Sequence, residues 1–254
     1  MMHTSCWRAA LLPVRTVMSP GAAMHEARIR SDPLVLASMV LLVAALGSLG
    51  LPRLLDLLGA TLAPSGQALL DSHLGVMRAA LARLVIADRV LPPLPYVIGG
   101  LIVVAVAAPV LSGHGVRGRA VVTVLAVGAA PLLVQRVGEL AVVWLAPGDG
   151  LVAGDVARLP ARFNIGVAGV LAAVGVTASG AWSVVAEAAN AVGLWVIVLW
   201  GWGLASLERS APAAARGAAL RAWPFWLAAA AYAAGYALYA ALFPLYLLLV
   251  MGAP

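Results

Sequence analysis

Long apolar runs alternate with short polar segments along this chain. The first strong run, PLVLASMVLLVAALGSLGL, covers Leu34 to Leu51 and follows Ser31, Asp32 and Pro33, which supply a helix cap and a first-turn proline. A second run, PPLPYVIGGLIVVAVAAPVL, fills 92–111 and carries Tyr96 near one headgroup level. After a glycine-rich turn over 112–119, Ala120 to Leu145 forms a third run with Pro131 near its middle. Its 26 residues, at ~1.5 Å each, reach roughly 39 Å, enough to cross a hydrocarbon core of about 30 Å with some tilt. Two more runs follow, 191–207 and 223–250. The pattern predicts an all-α, polytopic transmembrane helix bundle of five spans.

Two stretches fit less simply. Between Pro52 and Leu91, the residues Leu70, Leu74, Met77, Leu81, Leu84 and Val85 recur at helical spacing while Asp71, Arg78 and Asp88 interrupt them. This reads as an amphipathic helix at the membrane interface, in contact with lipid or packed over the mouth of the bundle. The segment 163–181, FNIGVAGVLAAVGVTASGA, is apolar but rich in glycine and poor in leucine. A short interfacial or re-entrant element is the favoured reading, and a sixth span stays open as the alternative.

Residues 1–30 hold Arg8, Arg15, Arg28 and Arg30 and only a short apolar stretch broken by Pro13, so no cleavable secretory signal is expected. The segment reads as a disordered basic tail, with Met18 and Met24 as further candidate starts beside Met1, and 31–254 as one membrane domain. Arginine placement orients the bundle, because cytoplasmic segments carry the excess of basic residues. With five spans and a cytoplasmic N-terminus, nine arginines lie inside and six outside, Arg136 being intramembrane. That predicts a multi-pass protein of the cell membrane with its C-terminus outside.

Composition supports the class: 63% of residues are hydrophobic and 10% charged, against roughly 25% charged in soluble domains. The net charge of +6 comes from arginines spread singly or in pairs, which suits anionic lipid headgroups rather than nucleic acid. Lone Cys6 offers no internal disulfide.

Few side chains suggest chemistry. Arg136 and Glu139, three apart within the third span, share a helix face and can pair. A lone charge at mid-bilayer costs about 2.5 to 3.5 kcal/mol on insertion scales, so the two need a partner or a wet cavity. An internal ion pair that fixes packing is the simpler reading; a polar lining for a substrate or proton path is the other. Glu187 can cap the fourth span, and Trp195, Trp200 and Trp202 suit interface anchoring and packing. Tyr232, Tyr236 and Tyr239 form a stripe for packing against neighbouring helices or a second copy. Gly128, Gly166, Gly169, Gly201 and Gly203 allow close backbone approach.

Enzyme signatures fail. His3, His25, His73 and His114 are scattered, Thr177 to Gly180 has no downstream histidine to activate a serine, Asp149 and Asp155 share one loop, and lysine is absent. The protein is expected to be non-enzymatic, with no cofactor and no metal.

Three stretches together resemble the Yip domain family of small multi-span membrane proteins, named for Ypt/Rab interaction, and its bacterial branch in particular. LSGHGVRGRAVVTVLAVGAAPLL carries the polar turn, with Gly113 and Arg117, and then Pro131 at the family's proline position. NAVGLWVIVLWGWGLA resembles the start of the family's fourth span, through Asn190, Leu194 and Trp195 and the later Gly203 and Leu204. SLERSAPAAARGAALRAW resembles its short basic connection to the fifth span. Val192 and Gly193 stand where a Phe and a Ser or Thr are usual. The acidic-aromatic motif of eukaryotic members is absent, so Rab binding does not carry over. The resemblance implies five spans, a cytoplasmic N-terminus in a bacterial inner membrane, and a role in membrane organisation or in association with lipids, a membrane-protein partner or further copies of itself. The rival expectation is a small transporter or permease component with Arg136 and Glu139 lining a polar path.

Overall fold

A computed structural model describes residues 11–29, 33–61, 68–91, 93–113, 115–147, 166–174, 181–209 and 222–251, with isolated positions 151, 152, 156, 159, 163 and 176. In chain order these form α1 (Leu12–Met18), α2 (Pro20–Ile29), α3 (Pro33–Leu49), α4 (Leu51–Thr61), α5 (Ala68–Val90), α6 (Leu94–Ser112), α7 (Gly118–Gly128), α8 (Pro131–Leu145), α9 (Val167–Ala173), α10 (Ala181–Ala188), α11 (Ala191–Arg209) and α12 (Trp223–Met251). Among the described residues the only β pairing is an isolated bridge between Gly166 and Asn190. Five helical stretches are long and apolar enough to cross a membrane: Leu34–Thr61, Leu94–Ser112, Gly118–Leu145, Ala191–Arg209 and Trp223–Leu242. The all-α multi-span architecture read from hydropathy is therefore the architecture of the protein.

The third span is the centre of the bundle, with 72% of its apolar window buried inside the protein. Its first half, α7, packs against α1, α2, α3, α6 and α11. The span is not one helix. Pro131 has no N–H to donate, and its ring crowds the carbonyl four residues back, so the ladder cannot pass through it. The chain adapts with tight i to i+3 bonds: Ala130 N donates to Val127 O (3.1 Å), Leu132 N to Ala129 O (3.0 Å) and Leu133 N to Ala130 O (2.9 Å). Trp200 Nε1, from α11, donates to Leu125 O at 2.9 Å just before the break and pins the fourth span there.

Spans two and five pack through small residues. Ala228 and Ala231 are buried, a Cβ at Gly99 would meet Ala231 O at 3.0 Å, and one at Gly235 would collide with the Pro95 carbonyl. Without water to drive helices together, close van der Waals contact of this kind is what holds spans side by side.

Several boundaries expected from the sequence change. The first span ends at a turn at Gly50 and continues as α4 to Thr61, so the stretch read as one amphipathic helix is two, α4 and α5. They form a second apolar core, in which Leu54, Leu57, Leu58 and Val85 meet Val143 and Leu159. In the ambiguous segment the described helix, α9, is seven residues long and is followed by a turn at Val174, too short by itself to cross; residues 164, 165, 175 and 177–180 of the segment lie outside the described residues.

The largest correction concerns the N-terminal tail. Over Leu12 to Ile29 the chain read as disordered folds into α1 and α2, an antiparallel pair joined by the Arg15–Glu26 salt bridge of 2.8 Å. That bridge is exposed and worth little; burial is what holds the pair. Leu12, Ala23, Met24 and Ala27 are each 2% exposed or less and sit in the main core, and Thr16 is buried beside them with its hydroxyl donating to Leu12 O at 2.8 Å. Met24 Sδ lies against Gly203 of α11. The rest of the predicted tail lies outside the described residues.

Removing residues 1–29 is expected to uncover the α7 face and lower membrane accumulation. Leu12→Ala and Met24→Ala should each cost about 2 kcal/mol or more, as core truncations do, read as a lowered thermal midpoint in mild detergent. Wild-type midpoints for all three would show that the pair is not part of the core.

Candidate functional site

Glu139 lies one turn after Gln135 and Arg136 on α8, so helical spacing alone brings the three side chains to one patch. Gln135 Nε2 donates to Glu139 Oε1 at 2.8 Å, and Arg136 Nη1 donates to Oε2 at 2.9 Å. A third donor comes from elsewhere. Arg89, at the end of α5, donates through Nη1 to the same Oε2 at 2.6 Å. Arg136 Nη2 reaches in turn to the carbonyl of Leu91 at 3.2 Å and so ties α8 to the chain just before span two.

All three charged residues are buried: Arg136 is 3% exposed, Glu139 5% and Arg89 7%. Their enclosure depends on small residues of α3 and the turn after it. A Cβ at Gly47 would strike the Arg89 carbonyl, so α5 closes on this span only where glycine stands, while a Cβ at Gly50 would come into ordinary contact with Leu140 and Val143 of α8. The space left among Leu46, Gly47, Leu54, Arg89, Arg136 and Glu139 is about 10 Å³. One water needs roughly that much, ~10–15 Å³. The cluster therefore has no room for a file of water or a solute. Chemically it is a carboxylate held by two guanidinium groups and one amide, an arrangement of short, charge-assisted hydrogen bonds.

The sequence singled out Arg136 and Glu139 and the structure pairs them, but it also enlarges the group. Arg89 is one of the six arginines that the sequence places outside the membrane, and nothing in its local sequence distinguishes it from Arg78 or Arg83. Gln135 was also missed, although its i, i+4 spacing to Glu139 was a usable signal.

A second polar cluster sits where α11 begins. Asn190 caps that helix, its Oδ1 accepting from Gly193 N at 2.6 Å, so the cap expected of Glu187 is supplied by Asn190. Asn190 Nδ2 donates to Glu187 O (2.6 Å) and Tyr232 Oη (3.4 Å), and Tyr232 Oη donates to Ala188 O at 2.8 Å. Tyr232 and Tyr236, the first two residues of the expected stripe, meet Tyr96 of α6 edge-on, with ring centroids 5.5 and 6.1 Å away. The stripe packs within the chain at these positions.

The positions that carry the family resemblance do not converge. Gly113 and Arg117 flank an exposed turn in which Gly115 takes a positive φ (80°). Pro131 is buried at the helix break and Asn190 at its cap, while Leu194 faces outward and Trp195 packs against the core. Gly203 abuts Val124 and Met24. Gly128, Gly166 and Gly201 likewise stand at close approaches, to Trp200, Asn190 and Phe225. Trp200 is buried, whereas Trp202 is 38% exposed. Among the described residues no three His, Cys, Asp or Glu side chains converge as metal ligands.

Compared with known protein families, with curated proteins and with solved structures, the chain matches none.

Glu139→Ala would leave two guanidinium groups facing each other in a dry site. The expected loss is about 3–5 kcal/mol, as for other buried pairs broken on one side, visible as a lower unfolding midpoint in detergent. Replacing all three charges together, Arg89→Met, Arg136→Met and Glu139→Leu, should recover most of it. A Glu139→Ala protein as stable as wild type would refute a structural role for the cluster.

Proposed function

We propose that this multi-pass membrane protein is non-enzymatic and works by association with lipids or membrane-protein partners, the role expected of the Yip-type proteins its sequence resembles. The observation that carries the reading is the closure of Glu139. Its two oxygens are taken up by Gln135, Arg136 and Arg89, and the residual space beside them holds at most about one water. A transport path through Arg136 and Glu139 would need these groups to face a wet, continuous cavity. They are instead spent on joining the third span to the chain before the second.

In the same reading the N-terminus is cytoplasmic, the C-terminus lies outside, and the membrane is a bacterial inner membrane. An odd number of spans puts the two ends on opposite faces, and the arginine excess orients them.

In-cell crosslinking followed by mild-detergent purification and mass spectrometry should recover a stoichiometric partner or a defined homo-oligomer. Vesicles holding the purified protein should pass protons and small solutes no faster than protein-free vesicles. A flux that Glu139→Gln abolishes would overturn the association reading in favour of a permease. A reporter fused to the C-terminus and active only outside the cytoplasm should give signal; a cytoplasmic signal would reverse the orientation.

A further inference from the structure

Spans one and two do not close on each other. Helices α3 and α6 each pack on α7 and stand apart, and the gap between them is an apolar groove of about 430 Å³. Leu36 and Val40 form one rim and Val97 and Leu101 the other, while Ala126 and Trp200 lie on its floor. These rims are substantially exposed, Leu101 at 63%, so the groove opens sideways from the bundle. Its walls are almost wholly apolar: Trp200 Nε1 is bonded to Leu125 O, and the hydroxyl of Tyr96, which lines the groove, is buried.

From these features we infer that the groove binds one hydrocarbon chain of a bilayer lipid. The groove is built from residues of four of the five spans, so it opens at the depth of the hydrocarbon core. Water does not fill a cavity lined only by apolar groups, and an empty one forfeits dispersion contacts along its whole lining. Volume decides between the remaining occupants. A helix about 10–12 Å across, rising 5.4 Å per turn, takes roughly 420–610 Å³ for a single turn, so the groove holds at most one turn of a partner's helix. Length points the same way. The span-two side of the groove runs from Pro93 to Val104, and eleven steps of ~1.5 Å make about 16 Å, close to half of a core about 30 Å thick. That is the reach of a chain from one leaflet.

The inference deepens the association reading by naming a lipid chain as one thing associated, and it rests on that reading. The full chain would be placed in vesicles of phosphatidylethanolamine and phosphatidylglycerol containing a phosphatidylcholine with a diazirine partway along one acyl chain. After photolysis the labelled residues would be mapped by mass spectrometry. Label is expected on Leu36, Val40, Val97 and Leu101 over the outward-facing Leu194 and Trp226 by about tenfold, a difference equivalent to about 1.4 kcal/mol. Gly100→Leu should lower the groove label to the level of Leu194 and leave Leu194 unchanged. A Cβ at position 100 only reaches ordinary contact with the Trp200 ring, 3.8 Å away, so the added side chain has the groove to enter.

Even labelling of groove and outer positions in the wild type would mean ordinary boundary lipid and would overturn the inference without any variant. Protein-to-protein crosslinks across the groove would overturn it in favour of a second copy. Either failure, with a partner still captured in cells, leaves the association reading standing; failure of both experiments removes both.

Discussion

A carboxylate inside a membrane has no water to turn to, and the way Glu139 meets that constraint organises the middle of this bundle. Its partners come from the same helix and from the end of α5, so one anion joins α8 to the segment that leads into span two. Desolvating these groups is costly, and the cost is offset only when every oxygen is well placed against a donor. That demand propagates outward. Gly47 must lack a side chain for α5 to reach the first span, and Leu46 and Leu54 seal what remains.

The same rule, applied to the backbone, explains the other polar contacts. Within hydrocarbon every N–H and C=O must be satisfied by the protein itself. At the Pro131 break this is done by short i to i+3 bonds and by the indole of Trp200; at the start of α11 it is done by Asn190, with Tyr232 completing the group. Each device also joins two spans. Polar satisfaction and helix packing are thus one problem here, solved at a few positions, while glycine and alanine contacts such as those between α6 and α12 supply the remaining adhesion.

Functionally, this leaves the charged residues inside the membrane committed to architecture. Among the described residues of the spans, apolar side chains such as Leu41, Leu194 and Trp226 face outward, and the lateral opening between spans one and two is lined by apolar groups.

Hydropathy by itself determined the class and located the five long apolar helices, because a segment that crosses hydrocarbon must be apolar over its whole length. Local spacing likewise brought Arg136 and Glu139 together, since residues three apart on a helix are neighbours whatever surrounds them. Arg89 escaped such a reading because its partner lies 50 residues away, and an arginine at the end of an amphipathic helix looks the same whether it faces water or a buried carboxylate. The tail escaped for a related reason. Leu12, Met24 and Ala27 make too short and weak an apolar pattern to predict a buried helix, and they become core only where α7 and α11 offer a face to cover. The groove is likewise tertiary, a gap between two helices that each pack on a third. Periodicity along one chain reports which residues avoid water, and only the assembled bundle decides which of them face lipid, which face protein, and which charges meet.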